Sequence, residues 1–234
     1  MTKEEKLRLL IDKVLTAHGG EEKLGKLKFT ETVVQTHDGN VTTLEYFVAP
    51  TALFRVESQK KGKPDKEISI LLEDGLKRWV KSANEMPVQF GNGREMPLDY
   101  YHDYVKFFGP RVVLRLKDTD QRISLLDDTK IDDRPVVGVE INKGVSIFKL
   151  SLKLYFDEET SLLVKKVETH APASPSGTHH IPTTLYFYKD YKSFDGIQVA
   201  TKTKQSNDGK LILVTEVAAF RAADKLDAKL FEQP

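Results

Sequence analysis

The sequence contains no cysteine among its 234 residues. Disulfides, thiolate nucleophiles and zinc sites built from cysteine are therefore excluded. Long apolar runs are also missing, and none approaches the roughly 18 consecutive residues that a membrane-spanning helix requires. The absence of cysteine is compatible with reducing and oxidising compartments alike, so it does not indicate where the protein works.

Neither sign of charge is in excess. The chain has 36 lysines and arginines against 35 aspartates and glutamates, which leaves a formal net charge of +1 at pH 7. Proteins dedicated to nucleic acids usually carry a basic surplus, so we predict no nucleic-acid partner. Hydrophobic residues make up 39% of the sequence, and this share is high enough to form a folded core.

The motifs of common catalytic, cofactor and metal sites are missing as well. There is no G-x-S-x-G elbow and no H-E-x-x-H pair of histidines, and the glycines beside Asn92 do not complete a dinucleotide-binding loop. His179 and His180 are neighbours in a Pro/Ser/Gly-rich loop, where no carboxylate lies at ligand spacing. We therefore predict that the protein is not an enzyme and that it uses no cofactor and no metal.

What the sequence does contain is alternation with a period of two. The clearest run is residues 150–156 (LSLKLYF), in which every second residue is a leucine or a phenylalanine. Such alternation predicts strands with one apolar face, and the short Asp/Gly/Asn turns between them predict antiparallel pairing. The predicted strands are residues 27–37, 41–48, 52–59, 67–73, 76–81, 111–116, 134–142, 150–156, 163–169, 184–191, 197–205 and 211–220.

Few helices are predicted. Apolar residues recur at helical spacing over residues 2–17, where Thr2 and Glu5 form a capping box and a pair of glycines ends the helix. A short helical turn is predicted at residues 21–24, a short helix at 98–108 within an irregular segment, and a last helical turn at 226–231.

The shortage of helices bears on function. The predicted strands together expose a larger apolar face than two short helices can cover. The sheet must then close on itself, stack, or keep a cavity, and an apolar cavity is the usual form of a small-molecule site. The alternative is a filled sheet core, in which case an edge or a loop would bind a protein partner and no ligand would be carried.

Several short motifs follow one another in a specific order along the chain. They are Ala17-His18-Gly19-Gly20, then Tyr46-Phe47-Val48-Ala49-Pro50, Phe54-Arg55-Val56-Glu57, Phe194-Asp195-Gly196-Ile197 and Leu226-Asp227-Ala228-Lys229-Leu230-Phe231. In this order they resemble the LolA/LolB-like outer-membrane lipoprotein-sorting superfamily over nearly the whole chain. Members bind lipid or lipoprotein acyl chains in the cell envelope, without a metal and without catalysis.

The resemblance implies one mainly β (α+β) domain over residues 1–234. Its expected architecture is a curved antiparallel meander that forms a half-open barrel, with an N-terminal helix and a short mid-chain helix covering or lidding the concave face. The expected parts are the N-terminal helix (1–20), strands (27–81), an irregular segment with a short helix (82–110), further strands (111–220) and a C-terminal helical turn (226–231).

Alternation and resemblance together predict an apolar site for a lipid or an acyl chain, either free or attached to a lipoprotein. A one-residue slip in strand register would move each strand's set to the opposite face. Three aromatic residues of the mid-chain segment are expected to form the lid: Tyr101, Tyr104 and Phe108. The expected cavity lining is Leu44, Tyr46, Val48, Phe54, Val56, Trp79, Leu152, Leu154, Phe156 and Phe187.

The location and the assembly state are expectations from the same resemblance. The opening residues MTKEEK have no apolar segment after their charges, so they are not a secretory signal. A cytosolic protein would fit this start, and so would an exported protein whose signal lies outside this sequence. We expect a periplasmic or secreted protein that acts as a monomer and has no membrane span.

Overall fold

The computed structural model describes residues 2–49, 54–72, 75–81, 88–92, 108–118, 121–143, 149–171 and 183–232. Within them are helices α1 (Lys3–Ala17) and α2 (Glu21–Lys26), and 3-10 helices at Gly109–Lys117 and Ala228–Phe231. The described strands are β1 (Lys28–His37), β2 (Asn40–Val48), β3 (Phe54–Lys60), β4 (Lys66–Leu72), β5 (Gly75–Lys81), β6 (Val88–Asn92), β7 (Gln121–Leu125), β8 (Thr129–Ile131), β9 (Arg134–Lys143), β10 (Lys149–Asp157), β11 (Leu163–Ala171), β12 (Thr183–Phe194), β13 (Ile197–Asn207) and β14 (Lys210–Ala223).

Helix α1 begins at the predicted capping box. The Glu5 amide donates to the Thr2 hydroxyl at 3.1 Å, and the Thr2 amide donates to the Glu5 carboxylate at 2.7 Å. These two bonds satisfy amides that a helix start otherwise leaves without partners. The apolar stripe then buries Val14 and Leu15, which join the main core of the protein. None of the described helices is long and apolar enough to cross a bilayer.

One antiparallel sheet contains all the described strands. Its order is β6-β5-β4-β3-β2-β1-β14-β13-β12-β11-β10-β9-β7, and β8 pairs with β9. Strands β12 and β13 are joined by a tight turn at Asp195 and Gly196, which both have positive φ (49° and 78°) and so suit a two-residue hairpin turn. Among the described residues the edge strands β6 and β7 do not pair with each other, so the sheet is open, and the predicted mainly β architecture is confirmed.

The main core lies on one face of this sheet, called here the inner face. Phe29, Val48 and Phe54 reach it from β1, β2 and β3, while α1, α2 and the 3-10 helix Gly109–Lys117 cover it from the other side. Leu152, Leu154 and Phe156 alternate along β10 and are all buried there. Burial of every second residue on these strands is what the period-two pattern predicts.

A smaller cluster lies on the opposite, outer face of the sheet. Ile68 and Ile70 of β4 pack there against Phe231 of the C-terminal 3-10 helix. Arg55 fixes this helix, because its guanidinium donates to the Leu230 carbonyl at 2.8 Å and pairs with the Glu57 carboxylate at 2.7 Å. The predicted C-terminal turn therefore exists as Ala228–Phe231 and closes part of the outer face.

One predicted strand is wrong. Residues 111–116 belong to the 3-10 helix Gly109–Lys117, although Arg, Val and Leu alternate there as they would in a strand. Pro110 occupies the first turn, where its missing amide costs nothing. The apolar residues among those buried, Pro110, Val113 and Leu116, recur every three residues, which is the repeat of a 3-10 helix.

Three strands were not predicted from the sequence. They are β6, β7 and β8, of five, five and three residues, which are too short for a period of two to stand out. The other predicted strands are confirmed to within a few residues at each end. The predicted helix at 98–108 lies outside the described residues except for Phe108.

Candidate functional site

A hollow of about 420 Å³ opens on the inner face. Its floor is formed by β1, β2 and β11 to β14, and the 3-10 helix Gly109–Lys117 borders it from above. Val33, Tyr46, Phe108, Val112 and Val217 line its apolar end. Its polar end is lined by Lys166, Glu168, Tyr186, Tyr188 and Thr203.

The apolar end rests on an aromatic cluster, which consists of Phe29, Tyr46, Phe54, Phe108 and Phe220. The Phe108 ring lies 4.9 Å from that of Tyr46 and 5.4 Å from that of Phe54, measured between centroids. The Phe29 ring stacks on that of Phe220 at 5.0 Å. Rings at these distances attract one another beyond the area they bury, so Phe108 is held down on the sheet.

Gly109 permits the close approach of Phe108 to the sheet. Its φ is +60°, and a β carbon at this position would lie 3.2 Å from Cζ of Phe29. We expect Gly109→Ala to lower the free energy of unfolding by about 1–2 kcal/mol through its left-handed backbone alone, and by more through the Phe29 contact. Urea unfolding measures the loss.

Gly209 provides the matched control for this prediction. It has φ of +82°, but a β carbon there would meet nothing within 4 Å. Gly209→Ala therefore carries the backbone strain without the contact, and we expect the smaller loss. Equal losses for the two variants would show that the contact between Gly109 and Phe29 contributes nothing.

The polar end contains an ion pair among tyrosines. The Lys166 ammonium lies 2.8 Å from the Glu168 carboxylate and 3.9 Å above the centroid of the Tyr186 ring. Burial raises the pKa of Tyr186 and Tyr188 above the ordinary value, and the charge of Glu168 adds to this effect. Both phenols therefore remain protonated. The Tyr186 phenol donates a hydrogen bond to the Glu168 carboxylate, and the Tyr188 phenol can donate one to a polar group in the hollow.

Glu31 lies on the inner face of β1, between Phe29 and Val33 in the alternation. It is 9% exposed, and its neighbours in the register are Tyr46 on β2 and Phe220 on β14. Burial raises the pKa of its carboxyl to about 7. Nothing in the described part of the chain forms a hydrogen bond or an ion pair with this carboxyl, which therefore faces the hollow without a partner.

His18 joins α1 to the sheet beside the hollow. Its Nδ1 lies 2.8 Å from the Val14 carbonyl, and the Leu163 amide donates to its Nε2 at 3.3 Å. Because Nε2 accepts, Nδ1 carries the proton and the ring is neutral. Burial lowers the pKa of His18 to about 4, against the hydrogen bond to Val14.

Most of the predicted lining residues lie in the hollow or in the core beside it. Tyr46 and the predicted lid residue Phe108 line the hollow itself. Leu44 is buried on the same face as Tyr46, at the neighbouring inward position of β2. Six more of the predicted lining residues are part of the core beside the hollow: Val48, Phe54, Val56, Leu152, Leu154 and Phe156.

Two other predicted lining residues, Trp79 and Phe187, pair across the sheet with residues of the outer face. The register pairs Trp79 with Ile68, which belongs to the outer cluster. Phe187 lies on the outer face, in a second pocket of about 350 Å³ that it shares with Arg134 and Asp157. The charges of that pair face each other at 2.8 Å. Tyr101 and Tyr104 lie outside the described residues.

The structure adds residues that the alternation did not single out. Glu31, Lys166, Glu168, Tyr186 and Tyr188 line the hollow, and the first three are charged. For Glu31 the sequence held a signal, because a charged residue occupies the inward position between the apolar residues Phe29 and Val33. For the other four it held none, since their faces depend on a bulge that pairing alone reveals.

Comparisons with known proteins show similarity in structure but not in sequence. No family model matches this chain, and no curated protein matches it by sequence. Three solved structures resemble it over nearly their whole length. They are a LolA superfamily protein from Nitrosomonas europaea (TM-score 0.58, 11% identity, covering 100% of this chain and 98% of that one), a DUF1329 family protein from Desulfovibrio piger (0.56, 10%, 97% and 97%), and a domain described as an outer membrane lipoprotein-sorting protein from Vibrio parahaemolyticus (0.56, 11%, 98% and 97%).

These likenesses concern the fold, since the identities are low. The similarity covers 97% or more of this chain for all three structures. The chain therefore has the LolA-like fold that its sequence motifs resemble.

Proposed function

We propose that the protein binds the acyl chain of a lipid or a lipoprotein in the hollow, and that it carries or senses this ligand in the periplasm. The observation that carries the proposal is the hollow itself, whose apolar end lies under Phe108 on a LolA-like sheet. Its volume of about 420 Å³ is within the roughly 300–1,000 Å³ of small-molecule sites. The proposed activity is binding, without catalysis.

The two ends of the hollow suit the two ends of such a ligand. Each methylene moved from water into the apolar end contributes about 0.8 kcal/mol, so the chain supplies most of the affinity. The Tyr188 phenol and the linked side chains of Lys166, Glu168 and Tyr186 can meet a polar head group. The likeness to a lipoprotein-sorting domain supports a ligand of this class and a place in the cell envelope.

The first experiment is organic extraction of the protein purified from its native host, followed by mass spectrometry. We expect a co-purified amphiphile in about stoichiometric amount. Uptake of a fluorescent fatty acid by delipidated protein gives an independent measurement. Clean extracts together with no uptake would favour the interaction module with a filled core, which the sequence left open.

A pair of tryptophan variants tests whether the hollow is the binding site. Val217 lines the hollow, whereas Ala218 is the exposed bulge residue next to it on β14. We expect Val217→Trp to weaken uptake about tenfold or more, because the indole displaces at least two methylenes of chain.

Ala218→Trp should bind like the wild type, since it introduces the same indole on the same strand outside the hollow. Equal uptake by the two variants would place the binding site elsewhere. Melting curves of both variants exclude unfolding as the cause of a loss.

A further inference from the structure

Glu31 is a charged residue of the hollow that the proposed function leaves without a role. It is nine-tenths buried, and it points into the hollow from the middle of β1. Its register neighbours Tyr46 and Phe220 form no hydrogen bond with it. Unpaired buried carboxylates are costly, so a residue of this kind is expected where a ligand supplies the partner.

The other charges around the hollow have partners of their own. Lys166 is held by Glu168 at 2.8 Å, and Arg115, which also lines the hollow, takes part in interactions within the protein. A ligand that brings a second carboxylate or a phosphate to Glu31 would meet a like charge in a poorly solvated place. A ligand that brings a cation would instead provide the hydrogen-bond donor that the Glu31 carboxylate lacks.

We propose that Glu31 recognises a positively charged amino group on the ligand, so that the hollow selects an aminated amphiphile, a hydrocarbon chain with an ammonium near one end. This proposal rests on the proposed function and names the class of its ligand. The ammonium donates a charge-assisted hydrogen bond to the Glu31 carboxylate, while the chain packs beside Phe108 and Val112. The carboxylate thereby replaces the hydrogen bonds to water that the ammonium loses, and the hydrocarbon chain is removed from water.

The test compares three probes of equal chain length on the delipidated full chain. They are tetradecylamine, tetradecanol and tetradecanoate, each below its aggregation limit and measured by displacement of a fluorescent fatty acid. We expect the amine to bind about tenfold to a hundredfold more tightly than the alcohol, the range of a charge-assisted hydrogen bond. Glu31→Gln should remove this preference and leave the alcohol within about threefold.

Glu45→Gln is the matched control. Glu45 lies on β2 beside Tyr46 but on the outer face, where its carboxylate is half-exposed and lies 4.0 Å from the Lys66 ammonium. This variant changes the net charge as Glu31→Gln does, without touching the hollow. The amine preference should therefore survive in it, and a loss in both variants would mean general electrostatic attraction and overturn the proposal.

Two further outcomes distinguish the inference from the proposed function. If all three probes bind equally and Glu31→Gln changes nothing, the chain is bound but the amino group is not recognised, and only the inference fails. If no probe binds the wild type, both fail together. Melting curves of Glu31→Gln show that the variant is folded, so a lost preference cannot be attributed to unfolding.

Discussion

Replacing Phe29 with alanine is expected to lower the free energy of unfolding by about 3–5 kcal/mol, the range for a buried phenylalanine in a packed core. Phe29 is fully buried, and its ring stacks on those of Phe108 at 6.3 Å and Phe220 at 5.0 Å. The Arg111 guanidinium lies 5.9 Å from the centroid of the same ring. The substitution would therefore open a cavity under the segment that borders the hollow.

The matched control is Phe187→Ala, which removes the same side chain from the outer face of β12. Phe187 is only half-buried, and the Lys165 ammonium lies 5.4 Å from its ring, so we expect a loss of about 1 kcal/mol. Urea unfolding compares the two variants. A loss below about 1.5 kcal/mol for Phe29→Ala would contradict a packed aromatic cluster at the apolar end.

Ligand uptake separates these two positions as well. Phe29 supports Phe108 from below, so its removal should weaken uptake of a fluorescent fatty acid along with stability. Phe187 lies outside the hollow, and its removal should leave uptake unchanged. The second result also tests the strand register, since a slip of one residue would bring Phe187 onto the inner face.

The strands were predictable because their signal is local. In β1 the alternation of buried and half-buried residues runs from Lys28 to Val34, and the turn at Asp38 and Gly39 ends it with two residues of positive φ. Neither feature depends on what the strand pairs with. The predicted bounds of 27–37 therefore agree with the observed Lys28–His37.

Faces across a bulge were not predictable in the same way. Phe156 pairs with Leu163 and Tyr155 pairs with Lys165, so Val164 is the extra residue of a bulge. In a regular strand, without the bulge, Lys165 would lie on the inner face together with Leu163. Phe187, which pairs with Lys165, would then lie on the inner face as well. The bulge instead turns Lys166 and Tyr186 inward, and nothing in the sequence of one strand reports its partner's register.

The same limit explains the composition of the hollow. A search for apolar residues at alternate positions finds the core, and Leu152, Leu154 and Phe156 indeed belong to it. The accessible part of the inner face begins where the apolar side chains are no longer tightly packed, and there the lining includes charged residues and tyrosines. The residues that alternation groups together in β2 and β10 lie on the inner face. Alternation could not separate the filled part of that face from the open part.

Glu31→Gln is expected to make the protein more stable than the wild type above pH 7. Burial raises the pKa of Glu31 from 4.5 to about 7, so the folded state holds this proton more tightly than the unfolded state does. As the pH rises from 4.5 to 7 the unfolded state loses the proton first, and folding is weakened by about 3 kcal/mol, since one pKa unit corresponds to about 1.4 kcal/mol. The amide of glutamine does not ionise and escapes this loss.

His18 contributes with the opposite sign over nearly the same range. Burial lowers the pKa of His18 from 6.5 to about 4, so the unfolded state takes up a proton first as the pH falls. The stabilisation is fully present above pH 6.5 and is lost by about 3 kcal/mol as the pH falls to about 4. In the wild type these two residues therefore offset each other between pH 4.5 and 6.5.

The two contributions become visible when each is removed in turn. Urea unfolding at a series of pH values should show that Glu31→Gln loses stability on acidification more steeply than the wild type does, because His18 then acts alone. His18→Gln should show the reverse slope, whatever its constant loss from the broken contacts with Val14 and Leu163. Parallel curves for the wild type and Glu31→Gln would mean that the Glu31 carboxyl is solvated in the folded protein, and the hollow would then not hold the poorly solvated acceptor on which amine recognition depends.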